Sequence, residues 1–77
     1  PASTLARELE LVRAYLELMQ TRMPDRLRYA LRVEPAARPL ECPPLTLLTL
    51  VENAVKHGID PGEEGGFIDV HVHVRDG

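Results

Sequence analysis

From Leu5 onward, apolar residues recur at Leu5, Leu9, Val12, Leu16, Met19 and Met23, in alternating steps of four and three. That spacing draws one stripe of side chains along a helix. Leu11, Tyr15 and Leu18 form a second stripe beside it. The apolar face is therefore wide, which predicts a helix packed on a domain or inside a bundle rather than a bare two-stranded coil. Ser3 or Thr4 is placed to cap its start, and Pro24 with Asp25 marks its end. An ordinary packing helix accounts for this pattern; a dimer seam is the competing reading, with only about three heptads to support it.

The period then changes to two. In "RLRYALRVE", Arg26 to Glu34, Leu27, Tyr29, Leu31 and Val33 point one way and Arg26, Arg28, Ala30 and Arg32 the other, which predicts a half-buried strand. "PAARPLECPP" breaks it with prolines and returns the chain across the domain. A second helix is predicted from roughly Pro44 to His57, with Gly58 placed to end it in a left-handed cap. "DPGEEGG", Asp60 to Gly66, predicts a loop. "FIDVHVHVR" predicts a second strand, with Ile68, Val70, Val72 and Val74 on one face and Asp69, His71, His73 and Arg75 on the other. Helix, strand, helix, strand, with one polar face per strand, predicts an α+β fold built as a two-layer α/β sandwich.

Winding "PPLTLLTLVENAVKHGI", Pro43 to Ile59, at about 100° per residue separates two faces. Leu47, Leu48, Leu50, Val51, Ala54, Val55 and Gly58 fall on one side; Thr46, Thr49, Glu52, Asn53, Lys56 and His57 fall on the other, with Leu45 the one apolar intruder. A solvated outer face explains such a stripe without any function. Asn53 does not suit that account, because asparagine is a poor helix former and has no capping task in mid-helix. Its side-chain oxygen is, however, a good neutral ligand for a hard cation such as Mg²⁺. Lys56, three residues on, shares its face, where an ammonium can meet a phosphate oxygen.

Composition narrows the field. Seventy-seven residues make one small domain or a piece of a larger one, and a chain this short buries only about 60% of the surface it exposes unfolded. The single cysteine, Cys42, rules out an internal disulfide and suits a reduced cytoplasmic setting. A net charge of −3 gives no basic stripe for nucleic acid, and no apolar run approaches the roughly 18 residues of a membrane span. The chain lacks an initiator methionine and a signal-peptide pattern, and "VRDG" at its end leads like a turn into another strand. The expectation is a segment of a longer polypeptide.

Here a resemblance adds to the residue-level reading. "LVENAVKHG", Leu50 to Gly58, resembles the N box of the GHKL (Bergerat-fold) ATP-binding superfamily. "PPLTLLTLVENAVKHGI" is more similar still to the form found in LytS-type sensor histidine kinases. Upstream, "LARELELVRAYLELMQTRMPDRLRYALRVE" resembles the helix and first strand that precede the N box in that class, so the likeness covers nearly the whole chain in the right order.

The resemblance implies a role for each polar residue. Asn53 would coordinate the Mg²⁺ that bridges the nucleotide phosphates, and Lys56 would contact phosphate. His57 would lie near base or sugar, and Glu52 would support the site by a hydrogen bond or through water on the metal. Alternatively, Glu52 anchors a neighbouring loop. Superfamily members that hydrolyse ATP carry a glutamate four residues before the asparagine; Thr49 stands there, and threonine cannot act as that base at neutral pH. That substitution suits transfer of phosphate to a histidine rather than hydrolysis. Related sequences often read glutamine–proline where this chain has Leu48 and Thr49, which touches no implied ligand.

By the same resemblance, residues 1–24 would be the junction helix that follows the histidine-phosphotransfer segment. Residues 25–77 would be the N-terminal half of the ATP-binding domain, ending before the glycine boxes, an incomplete Bergerat-type fold. The phosphoacceptor histidine would lie upstream, and none of the three histidines here sits in its motif. The intact protein would bind Mg·ATP, phosphorylate a histidine within a homodimer and pass the phosphate to a response regulator, from a cytoplasmic position in a membrane-anchored parent. The segment by itself is expected to be inactive, with no nucleic acid and no direct membrane contact.

Two rival readings belong to other classes. "DVHVH" sets Asp69, His71 and His73 on one strand face at a spacing that can chelate Zn²⁺, although alternation alone predicts a polar outer face. A non-enzymatic module that dimerises through the first helix or an open sheet edge is the other. Cys42, ahead of two prolines and with no nearby base, is expected to be a buried structural thiol.

Overall fold

The computed structural model describes residues 2–59 and 66–72. In order these form β1 (Ser3–Thr4), α1 (Leu5–Arg22), β2 (Leu27–Val33), a 3₁₀ turn (Pro35–Ala37), β3 (Glu41–Cys42), α2 (Thr46–Ala54), a π-helical turn (Val55–Ile59) and β4 (Gly66–Val72). The architecture is α+β, with two helices packed on a two-stranded sheet and a second, two-residue ladder at one end. The loop expected at Asp60–Gly66 lies, except for Gly66, outside the described residues, as do His73, Val74 and Arg75 of the second strand.

The start of α1 is closed by three different acceptors. Of the two capping candidates, Thr4 takes the role: it is extended (φ −120°, ψ 159°) and its Oγ1 accepts the Arg7 N–H at 3.2 Å. The Leu5 and Ala6 N–H groups donate to the Leu40 and Arg38 carbonyls, each at 2.9 Å. Donors that a helix N-terminus ordinarily leaves open are thus taken by the returning loop. The same loop pairs with the chain start, β1 antiparallel to β3 with Ser3 opposite Cys42 and Thr4 opposite Glu41. At the other end Met23 N–H bonds to Met19 O at 2.9 Å, and the helix stops before Pro24, whose missing N–H cannot extend it.

The large sheet is a parallel pair, β2 beside β4. A parallel pair demands a crossover, which the loop and α2 provide. Its register sets Tyr29 opposite Ile68 and Leu31 opposite Val70, so the apolar positions of both strands share the face that meets the helices. The core is Val12, Leu16, Met23, Leu27, Val51 and Val55. Leu16 and Leu27 are completely buried, and a side chain of that size contributes roughly 1.5–3 kcal/mol on full burial.

Three expectations need revision. The α1 seam holds at Leu9, Val12, Leu16 and Met23, but Leu18 of the second stripe stands 59% exposed. On α2 the apolar face is narrower than the sequence suggests, since Leu50 is exposed while Val51 and Val55 are buried. Gly58 does not end the helix in a left-handed cap. Instead α2 widens from Val55 into the π-helical turn, which carries Gly58 within it, and a Cβ at Gly58 would meet open space.

Candidate functional site

The polar stripe of α2 sits where the helix changes width. The Val55 N–H is shared between the Val51 and Glu52 carbonyls, a three-centre bond of the kind common at helix ends, and the π-helical turn starts at this residue. π-helical turns of this kind occur frequently at functional sites. Glu52 and Asn53 end the α-helical part, and Lys56 and His57 fall in the π turn. Val55 between them is buried and pins the turn to the core, which holds its neighbours outward. Glu52, Asn53, Lys56 and His57 are all exposed, and among the described residues their side chains make no hydrogen bond or ion pair.

Three of the four line one cavity. Glu52, Asn53, Val55 and Lys56 meet Tyr15 and Met19 of α1 around a space of about 410 Å³. That volume lies in the roughly 300–1,000 Å³ range of small-molecule sites. His57, exposed on the same turn, is not among the lining residues. Tyr15 and Met19 were legible in the sequence only as members of the α1 apolar stripes; nothing in their spacing says that they also wall a polar cavity. Thr49, one turn before Asn53, is exposed and lines neither this cavity nor the one near the chain start.

The donor set limits what this cavity can hold. It offers one amide oxygen, one carboxylate and one ammonium. Among the described residues no group of three His, Cys, Asp or Glu side chains is placed to hold a metal ion. A cation here would draw most of its ligands from elsewhere. Mg²⁺ suits that arrangement, because it keeps waters and phosphate oxygens and takes only one or two groups from protein. The donor set therefore fits Mg²⁺ arriving with a phosphate compound and does not fit an all-protein cage.

The other metal candidate is differently committed. Asp69 is engaged by Arg32 of β2, whose Nε donates to Oδ1 at 3.3 Å and whose Nη2 donates to Oδ2. His71 is exposed on the outer face, and His73 lies outside the described residues. An Asp already paired with a guanidinium is a poorer ligand, so the strand face reads as solvated polar surface. Cys42 is half-buried; its thiol is pushed up by that burial and, second, by the Glu8 carboxylate, so it stays protonated at neutral pH.

Comparison with known proteins gives the chain its relatives. It is 45% identical over 78 residues to the sensor histidine kinase/phosphatase LytS of Staphylococcus aureus. The sensor protein LytS of Oceanobacillus iheyensis is 36% identical to it over 72 residues. Each match takes in 94% of this chain. The chain is homologous to a segment of LytS sensor kinases. It spans 12% of the length of the O. iheyensis LytS and 13% of the S. aureus LytS, about one eighth of each. No family model matches the chain, and no solved structure matches it significantly. The LytS likeness covers 94% of the chain, so it runs through α1, β2 and α2 together and embraces the cavity, not the Leu50–Gly58 string alone. Among the described residues no helix is long and apolar enough to cross a membrane.

Proposed function

We propose that this chain is part of the ATP-binding region of a LytS-type sensor histidine kinase, with its nucleotide-phosphate subsite at the junction of α2 and the π turn. The observation that carries the reading is the convergence of Asn53, Lys56 and Glu52, unpartnered among the described residues, on one cavity. Asn53 would give its amide oxygen to Mg²⁺. Lys56, on the same face, would place its ammonium against a phosphate oxygen as a point charge. Glu52 would accept from metal-bound water or hold a neighbouring loop, and His57, outside the cavity wall, would reach base or sugar from the rim. When bound, Mg²⁺ supplies charge neutralisation across the phosphates.

With threonine at position 49, no carboxylate stands one turn before Asn53 to activate water. This favours transfer over hydrolysis. In the full protein the γ-phosphoryl group would pass to a histidine on a dimeric helical segment and then to a response-regulator aspartate. The segment of 77 residues would hold part of the nucleotide site and lack the catalytic apparatus for that transfer.

Asn53→Ala and Lys56→Ala in the full-length parent test the assignment. Both are expected to weaken Mg²⁺-dependent ATP binding and to lower autophosphorylation at least tenfold, while Thr49→Ala leaves binding intact. Wild-type Mg·ATP affinity in both Ala variants would remove the basis of the reading. A dimerising module without nucleotide chemistry would then be the better account.

A further inference from the structure

The cavity beside Asn53 has two walls of opposite character, and they come from different helices. Glu52, Asn53 and Lys56 make the polar wall, all from α2 and the π turn. Tyr15 and Met19 make the other, four residues apart and so on one face of α1. Both are half-buried and pack against the core, yet each keeps part of its surface on the cavity. Whatever fills the space between the walls therefore touches α1 as well as α2.

The two helices are unequally secured. α1 has 18 residues, and its first N–H groups are taken by Thr4, Arg38 and Leu40. Its last turns are tied to the sheet, since Gln20 Nε2 donates to the Leu27 carbonyl at 3.0 Å. Met19 stands next to that tie, and its own carbonyl accepts the Met23 N–H. α2 has 9 residues, fewer than the about 12–15 at which an isolated helix is even marginal. It begins at Leu45 in the left-handed region, φ 64°, with no side-chain cap. The firm wall is thus the one that α1 provides. That wall carries no charge: among the described residues lining the cavity, Lys56 is the one cation and Glu52 the one anion.

We propose that Met19, with Tyr15 beside it, is the second wall of the phosphate subsite. The phosphates of Mg·ATP lie between Met19 on α1 and Lys56 on α2, and the charge at position 19 sets their affinity. This inference rests on the nucleotide reading above. Occupancy then holds α2 against α1, because the ligand bridges the helices and binds the form in which they are docked.

The test is the Mg·ATP affinity of the full-length protein carrying Met19→Lys, Met19→Gln or Met19→Glu. All three replacements are good helix formers and remove the same thioether. Each can lay its stem on the core and keep its polar head in the open cavity, so charge is what differs. Affinity is expected to fall in the order Lys, Gln, Glu. The first and last should differ at least about tenfold at low salt, and the gap should narrow as salt rises. Equal affinity in all three would overturn the proposal. So would closure of the gap once Lys56→Ala is added, because the introduced carboxylate would then act only by neutralising Lys56. Should Met19→Glu fail to fold, Met19→Lys is compared with Met19→Gln; a gap of about threefold or more supports the wall and none refutes it. The full gap together with wild-type affinity in Asn53→Ala upholds the wall and removes the Mg²⁺ role of Asn53. Weakened binding in Asn53→Ala and Lys56→Ala with no gap at position 19 refutes the wall and leaves the nucleotide reading standing. Absence of Mg·ATP binding by the wild type refutes both.

Discussion

Leu16 and Leu18 are separated by two residues on α1 and by nearly half a turn, and replacing each with alanine tests the helix orientation directly. Leu16 is fully buried in the core cluster, whereas Leu18 is 59% exposed. The chemical change is the same in both, so the small difference in helix propensity cancels between them. Removing Leu16 forfeits its transfer free energy and leaves a cavity among Val12, Met23, Leu27, Val51 and Val55, a loss of about 3–5 kcal/mol. Removing Leu18 should cost within about 0.5 kcal/mol. A chain of 77 residues has a total stability of roughly 4–12 kcal/mol, so the first change consumes much of it and the second almost none. Urea unfolding followed by far-ultraviolet circular dichroism should show a large fall in midpoint for Leu16→Ala with an unchanged slope. In thermal unfolding the same variant should lose more than about 12 °C. If Leu16→Ala is unfolded in water, Leu16→Met, which conserves volume, should remain folded at a cost below about 1.5 kcal/mol. Equal destabilisation at both positions would mean that α1 presents a different face to the sheet, and the walls assigned to both cavities would fall with it.

Two other outcomes follow. Isothermal calorimetry of the 77-residue segment should detect weak Mg·ATP binding or none, because the cavity beside Asn53 supplies too few groups to hold a nucleotide; tight stoichiometric binding would contradict that. Cys42 should react slowly with iodoacetamide at neutral pH, since burial and the Glu8 carboxylate both raise its thiol and so lower the thiolate fraction. Its rate should climb only at higher pH than for a free cysteine, with the climb moved to lower pH in Glu8→Gln.

What the sequence could reveal was whatever depends on local period. The four-three spacing located α1, strict alternation located β2 and β4, and the polar stripe of α2 brought Glu52, Asn53 and Lys56 to one side before any coordinates were needed. What it missed depends on partners distant along the chain. The parallel pairing of β2 with β4, and the ladder of Ser3 and Thr4 against Glu41 and Cys42, are set by tertiary packing that no periodicity records. Glu8 belongs to neither apolar stripe of α1, so no periodic pattern singles it out, yet it is buried in the fold. The left-handed Leu45 and the π turn at Gly58 run against residue preference: leucine disfavours positive φ, and the glycine expected to terminate a helix continues it. The polar residues of the cavity were therefore foreseeable, while Tyr15 and Met19, which complete it, became visible only once α1 and α2 were packed together.

The clip between β1 and β3 has a mechanical consequence. Because the Leu5 and Ala6 N–H groups are tied to Leu40 and Arg38, and Ser3 to Cys42, the first turn of α1 cannot rotate or unwind without dragging the loop with it. That loop reaches the first residue of α2 only four positions after Cys42, two of them prolines with restricted torsions. A twist delivered to the beginning of one helix would therefore be passed as a tug on the beginning of the other, making the pair a short stiff linkage instead of two independently hinged rods.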